Sequence, residues 1–251
     1  MSKVSILMTT YNRAEFLPKA IDSVIFQTFK DWEFIIIDDC STDNTQEIIE
    51  EYVKLGLPIK YVRNEENLGV VKSRNLALSL CSGEYVAVLD SDDEWVDKEK
   101  LQKQVDFLDK NPDYVLYGGN AVIINEKGEK TGEIKYASND EDIRKKILLS
   151  NQFVHSCTMY RKKVADQVGG YGNYGVGEDY DLFLKMGLQG KLTNSFDIFI
   201  KYCRQSSGLT WKNRLYSAKN HLQIIRNYKN KYPNYCLALV KAYLRIVLAI
   251  L

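Results

Sequence analysis

Short apolar runs recur through the first 110 residues at Val4–Met8, Phe34–Ile37, Ile59–Val62 and Tyr85–Leu89, several of them rich in Val and Ile. Runs of this length read as strands buried on both faces. Between them the apolar positions switch to helical spacing. Phe16, Ala20 and Val24 form one stripe, with Ile21 and Ile25 on its flank. Ile48, Ile49, Tyr52 and Val53 form a second, behind the capping signal Asp43-x-x-Gln46. Val70 to Leu80 follows the turn Asn67-Leu68-Gly69, and Leu101, Val105 and Leu108 precede the stop at Asn111-Pro112. Alternating strands and helices predict an α/β fold, a mostly parallel central sheet flanked by helices.

The second half is less regular. Tyr114–Asn125 and Glu133–Tyr136 flank a turn at Asn125–Glu129 and predict a hairpin. Helices are expected over Asp140–Leu149 and Asp179–Leu188, and strands over Cys157–Arg161 and Phe196–Tyr202. Two helices, Leu215–Tyr228 and Tyr235–Leu251, close the chain. There is no repeat and no low-complexity linker. The reading is one α/β domain over residues 1–210 and a helical C-terminal appendage over 211–251.

Charge changes the picture more than composition does. The chain has 251 residues, 45% hydrophobic and 27% charged, which excludes a disordered or collagen-like chain. Its net charge of +1 hides an asymmetry: no acidic residue follows Asp197, whereas ten basic residues do. Five scattered cysteines without a Cys-x-x-Cys pair argue against a disulfide framework or zinc site and for a reducing, cytoplasmic setting. No apolar stretch reaches the ~18 residues that span a bilayer.

Ligands of open α/β sheets sit beyond the carboxyl ends of the strands. Three polar clusters fall there: Thr9-Thr10-Tyr11-Asn12-Arg13, Asp38-Asp39-Cys40-Ser41-Thr42-Asp43 and Asp90-Ser91-Asp92-Asp93. Neither Gly-x-Gly-x-x-Gly nor a P-loop is present, so a dinucleotide dehydrogenase and a P-loop enzyme are not expected. Two carboxylates one residue apart, Asp90 and Asp92, suit a hard divalent cation that keeps waters and also binds substrate phosphates; a solvated acidic turn is the plainer alternative. Glu178-Asp179-Tyr180-Asp181 follows a glycine-rich loop and opens a helix. A carboxylate there is placed for general-base work, although helix starts carry acids for their dipole alone.

Taken together, these segments resemble the family 2 glycosyltransferases of the GT-A fold over roughly Val4 to Thr210. The resemblance rests on Val4–Asn12, Gln27-Thr28-Phe29-x-Asp31-Trp32-Glu33, Ile37-Asp38-Asp39-x-Ser41-x-Asp43, Asn67-x-Gly69 with Arg74-Asn75, Gly83-Glu84-Tyr85, Leu89–Asp93 and Gly177–Leu182. It implies a GT-A-type, Rossmann-like sheet and an inverting transfer of one sugar from a nucleotide-sugar donor, UDP-linked by resemblance, to a glycan or lipid-linked acceptor in cell-surface polysaccharide or glycoconjugate synthesis. It also implies a divalent metal, Mn2+ or Mg2+. By the same resemblance Thr9, Tyr11 and Asn12 belong to the nucleotide pocket, and Asp39 meets base or ribose. Arg74 lies near the diphosphate, Asp90 and Asp92 meet ribose and metal, and Asp179 is the base. Glu178, Asp181 and His155 are acceptor-side candidates.

The chain also departs from the family pattern. Where the family often has Tyr-Arg-x-His, this sequence reads Tyr202-Cys203-Arg204-Gln205 and lacks the histidine. It lacks the Gln-x-x-Arg-Trp of the processive synthases, which favours one addition per encounter. The alternatives are a sugar nucleotidyltransferase, which needs a glycine-rich basic loop absent from Thr9–Arg13, and a non-catalytic nucleotide-sugar-binding module. Tyr171, Tyr174, Trp95 and Trp211 are candidates for sugar stacking or plain packing. Leu237, Val240, Leu244, Val247, Leu248 and Leu251 fall at near-helical spacing beside Lys241 and Arg245. This basic apolar tail suits the inner face of a cell membrane; packing on the body or on another subunit is the competing reading. No nucleic-acid partner is expected.

Overall fold

The structure, a computed structural model, describes residues 2–125, 127–203 and 214–250. Its first half alternates β1 (Val4–Thr10), α1 (Leu17–Ile25), β2 (Trp32–Asp38), α2 (Thr45–Lys54), β3 (Ile59–Arg63), α3 (Val70–Leu80) and β4 (Tyr85–Val88). Then follow β5 (Glu94–Trp95), α4 (Lys100–Lys110), β6 (Tyr114–Ile124), β7 (Lys130–Ile134) and α5 (Asp140–Ile147). A 3-10 turn (His155–Cys157), β8 (Met159–Arg161), α6 (Lys162–Gln167), α7 (Glu178–Gly187), β9 (Lys191–Cys203), α8 (Arg214–Asn227) and α9 (Tyr235–Ile250) complete the described residues.

One sheet runs in the order β3-β2-β1-β4-β8-β6-β9-β5, with β7 also on β6. The first four neighbours are all parallel. β8 is antiparallel to both β4 and β6, while β9 returns parallel to β6. The apolar runs explain the burial. In β1, Val4, Ile6 and Met8 enter one core with α1 and α4, while Leu7 enters the other with α3, α5 and α7. Both faces are covered, so the alternation expected of a half-solvated strand is absent.

Several local expectations change. Asp43-x-x-Gln46 does not close a capping box. The Asp43 carboxylate accepts from the Thr45 and Ala14 amides (3.1 and 3.2 Å), and Gln46 turns to Glu50 (2.8 Å). Asp43 therefore ties the loop after β1 to α2. The segment Cys157–Arg161 is strand only from Met159. β9 begins at Lys191, five residues before the apolar run, because its buried polar Thr193 and Asn194 bond the carbonyls of Ser138 and Ala137. The two-residue β5 and the six-residue α6 are too short to leave a periodic signal.

The C-terminal helices are not a separate layer. Ala218, Leu222, Ile224 and Ile225 of α8 and Ala238 and Ala242 of α9 enter the same core as Leu7 and Val88. The expected boundary at 210/211 lies outside the described residues.

Candidate functional site

The carboxyl ends of β1, β2 and β4 do converge. Beyond β1 the chain turns at Asn12, whose φ of 51° is left-handed, a conformation its short amide tolerates. The Asn12 side-chain oxygen accepts from the Thr42 amide (2.8 Å), and the Asn12 amide donates to Ser41 Oγ (2.9 Å). Asn12 thus locks the first loop to the second. Thr9 is half-buried beside it. Tyr11 is 44% exposed, so its ring is open to a ligand. Asp39 turns inward instead. Its carboxylate accepts from Asn64 Nδ2 (2.8 Å), Ser73 Oγ (2.9 Å) and the amides of Leu68 and Gly69 (both 2.8 Å). Gly69 has a φ of 84°, which allows the turn to present both amides. Asp39 thus anchors the start of α3.

That anchoring places Arg74, one turn into α3, at the centre of the site. Arg74 Nη2 donates to Asp90 Oδ1 (2.6 Å), and Nη1 is paired with Glu178. One buried guanidinium therefore joins the loop after β4 to the first residue of α7. The remaining Arg74 nitrogen, Nε, is buried without a hydrogen-bond partner among the described residues. Burial alone would lower the pKa of Arg74, but the Asp90, Glu178 and Asp179 charges outweigh it and hold the group protonated.

Asp90 has a second partner. His155 Nδ1 lies 3.2 and 3.3 Å from its two oxygens, and His155 Nε2 lies 3.0 Å from the Tyr171 hydroxyl. That hydroxyl is in turn 3.1 Å from the Tyr160 hydroxyl. One proton order satisfies every member: Tyr160 donates to Tyr171, Tyr171 to Nε2, and Nδ1–H to Asp90. Burial works against ionisation of Asp90, but Arg74 and His155 overturn it and hold the carboxyl well below the usual range. His155, expected on the acceptor side, is buried against Asp90 and contacts its carboxylate. Tyr171 is likewise buried, 5.8 Å under the Arg74 guanidinium, and is not available for stacking on a sugar.

Asp92 is about as exposed as Asp90, 27% against 26%. Its nearest cation is Arg13 (3.7 Å), and Arg13 Nη1 also donates to the Asn12 carbonyl (3.2 Å). Burial and the neighbouring Asp90 charge push Asp92 up. Asp93 is pushed up further by burial and by both neighbours, and its carboxylate accepts from Ser156 Oγ (2.5 Å) and the Cys203 amide (3.1 Å). Asp93 and Ser156 were not separable in the sequence as supports. Among the described residues no three His, Cys, Asp or Glu side chains form a metal cage. The donor set that is present, two mutually repelling carboxylates at a strand end, fits a hard cation that completes its shell with phosphate oxygens and water.

On the opposite side Gly177 caps the start of α7, and its φ of 96° permits the sharp entry. Glu178 faces inward to Arg74. Asp179 is half-buried, 3.3 Å from Asn151 Nδ2 and otherwise open. Asp181 does not join them. It pairs with Lys185 (3.0 Å) and accepts from the Tyr228 hydroxyl (2.9 Å), lining a separate cleft of about 490 Å³ between the glycine-rich loop, α7 and α8. Expected beside Asp179 on the acceptor side, Asp181 instead points away from it, because two residues along a helix turn the side chain to another face. Tyr174 bonds Asn227 of α8 (2.7 Å), and Trp95 is core, donating to the Ser156 carbonyl (2.9 Å). Trp211, Arg204 and Gln205 lie outside the described residues.

Structural likeness first sets the fold, a GT-A-type architecture. S. aureus TarS 1-349 in complex with UDP-GlcNAc superposes with a TM-score of 0.75 at 22% identity, over 97% of this chain and 72% of that one. The mannosyltransferase PcManGT from Pyrobaculum calidifontis, in complex with GDP-Man and Mn2+, superposes at 0.71 with 17% identity, over 99% of this chain and 75% of that one. At these identities the likeness concerns the fold. Sequence then gives the family: residues 5–169 match the model of Glycosyl transferase family 2, and the chain belongs to that family. The amylovoran biosynthesis glycosyltransferase AmsE of Erwinia amylovora is 29% identical over 88% of this chain and 84% of its own length. The UDP-Glc:alpha-D-GlcNAc-diphosphoundecaprenol beta-1,3-glucosyltransferase WfgD of Escherichia coli is 38% identical over 49% of this chain and 47% of its own. The chain spans 41% to 68% of the length of the first four curated relatives it matches.

Proposed function

We propose that this chain is an inverting glycosyltransferase that moves one sugar from a nucleotide-sugar donor, UDP-linked, to a hydroxyl of a glycan or lipid-linked acceptor in cell-surface polysaccharide synthesis. One observation carries the reading: Arg74 bonds both Asp90 and Glu178, so the donor-side carboxylates and the start of α7 are held around a single buried cation. The similarity to AmsE, a polysaccharide synthesis enzyme, and to WfgD, a UDP-sugar enzyme with a lipid-diphosphate acceptor, supports the substrate class.

In this reading Tyr11 and Thr9 border the nucleotide, and Asn12 holds the loop that carries them. Asp90 and Asp92 would hold the divalent metal, Mn2+ or Mg2+, with the donor diphosphate. The metal supplies Lewis-acid neutralisation of the leaving diphosphate. Arg74 and His155 keep Asp90 ionised and in place, and Arg13, about one-third exposed, adds a cation at the same edge. Asp179 takes the acceptor proton. One base serves a single displacement with inversion, whereas retention by a covalent route would need a second, nucleophilic carboxylate.

The test is UDP release from UDP-sugars, measured with and without acceptor and Mn2+. Asp179→Asn keeps the shape and removes the base, so transfer should fall ~10²–10⁴-fold with donor affinity unchanged. Asp92→Ala should lose the metal-dependent part of donor binding. Unchanged transfer in both variants would remove this reading.

A further inference from the structure

From the outer face of α9 we infer a docking surface for an anionic lipid bilayer. The helix has two unlike faces. Ala238 and Ala242 are buried on α8, and Tyr235, Leu239 and Ile246 pack beside them on the core. Facing away are Leu237, Val240, Leu244, Val247 and Leu248, each more than half exposed. Successive residues of a helix are turned by about 100°, so these five fall within one stripe opposite the packing face. A continuous apolar stripe of this kind marks an interaction surface. No helix among the described residues is long and apolar enough to cross a membrane, so the stripe would lie along a bilayer.

Charge selects the occupant. Lys241 and Arg245 lie along one edge of the stripe by the same helical spacing. Along the other edge Tyr243 holds Arg226 of α8, whose Nη2 donates to the tyrosine hydroxyl at 2.6 Å. Lys229 and Lys231 sit exposed in the turn that joins the two helices. No acidic residue of this sequence follows Asp197, so neither helix carries one. An apolar stripe bordered on both sides by cations matches the boundary between acyl chains and anionic headgroups. A second copy of this chain would set the same cations against themselves across a symmetric contact, which opposes self-association here. The surface does not depend on the chemistry assigned to Asp179 or Asp92, and it would bring the sheet edge to acceptors carried on lipid.

Vesicle flotation of the full chain tests this, with mixed phosphatidylglycerol–phosphatidylcholine vesicles against pure phosphatidylcholine. The chain should float with the anionic vesicles at low salt and be released as salt rises, since each cation near the surface strengthens binding about fivefold. Leu244→Asp with Val247→Asp should lower binding ~10-fold or more, while melting temperature and UDP release stay at wild-type values, because both side chains are exposed. Lys241→Glu with Arg245→Glu should abolish the preference for anionic lipid. The inference fails if the intact chain stays in solution with anionic vesicles at low salt. It also fails if the stripe variants bind as well as wild type, or if they instead convert a dimer to a monomer in light scattering with flotation unchanged.

Discussion

Replacing Arg74 with methionine probes the centre of the site. The substitution keeps most of the side-chain volume and removes one charge. Both terminal nitrogens of Arg74 are engaged, and its side chain is 10% exposed, against 7% for Glu178 and 26% for Asp90. Without the guanidinium two carboxylates are left facing each other in a poorly hydrated pocket. Removing one partner of a buried pair costs about 3–5 kcal/mol, chiefly because the remaining charge is uncompensated. Asp90 keeps His155 and some solvent, so the lower end, about 3 kcal/mol, is expected. With a urea slope of about 2 kcal/mol per molar, the unfolding midpoint should fall by about 1.5 M. The charge argument makes a further demand. Glu178→Gln added to Arg74→Met removes one orphaned carboxylate and should recover part of the loss, although Glu178→Gln alone destabilises. Equilibrium urea unfolding of the four proteins forms a double-mutant cycle. A midpoint within about 0.3 M of wild type for Arg74→Met, or a double variant weaker than both singles, would refute the idea that Arg74 holds the two loops by charge.

Other consequences are simpler to read. Lys100 is fully buried over the Trp95 ring with Gln104 as its hydrogen-bond partner, and burial brings its pKa down to about 7. Between pH 7 and 10.5 the unfolded chain binds more protons at this lysine than the folded one, so wild type should gain stability relative to Lys100→Met as pH rises through that window, by at most about 1.4 kcal/mol per unit; parallel stability–pH curves would contradict it. Tyr171→Phe leaves His155 Nε2 and the Tyr160 hydroxyl without their shared partner and should cost about 1–3 kcal/mol in thermal or urea unfolding, whereas no change would mean that the chain of hydrogen bonds is not made. Asp181→Asn, turned toward Tyr228 and Lys185, should leave transfer within a few-fold of wild type, and a loss as large as that of Asp179→Asn would return Asp181 to the reaction centre.

The amino-acid pattern alone carries the strand–helix alternation through β4, because buried parallel strands leave apolar runs and flanking helices leave periodic stripes. It also placed Asp90, Asp92 and Asp179 at strand and helix ends, since those positions follow from where the runs stop. Which of these groups meet depends on how distant segments pack. Arg74 and Glu178 are 104 residues apart in the chain and paired in space, a contact that exists only because α3 and α7 cover the same face of the sheet. The Asp90–His155–Tyr171–Tyr160 order and the inward turn of Asp39 were equally hidden, because each depends on partners brought by distant loops. So was the membership of α8 and α9 in the core: an amphipathic stripe tells that a helix has something to bury, but Ala238 and Ala242 face the body and Leu244 faces out only because small side chains allow close approach to α8. Local periodicity is a property of neighbouring residues and can be read along the chain. The pairing of charges and the choice of buried face are properties of surfaces that meet only once the sheet has formed.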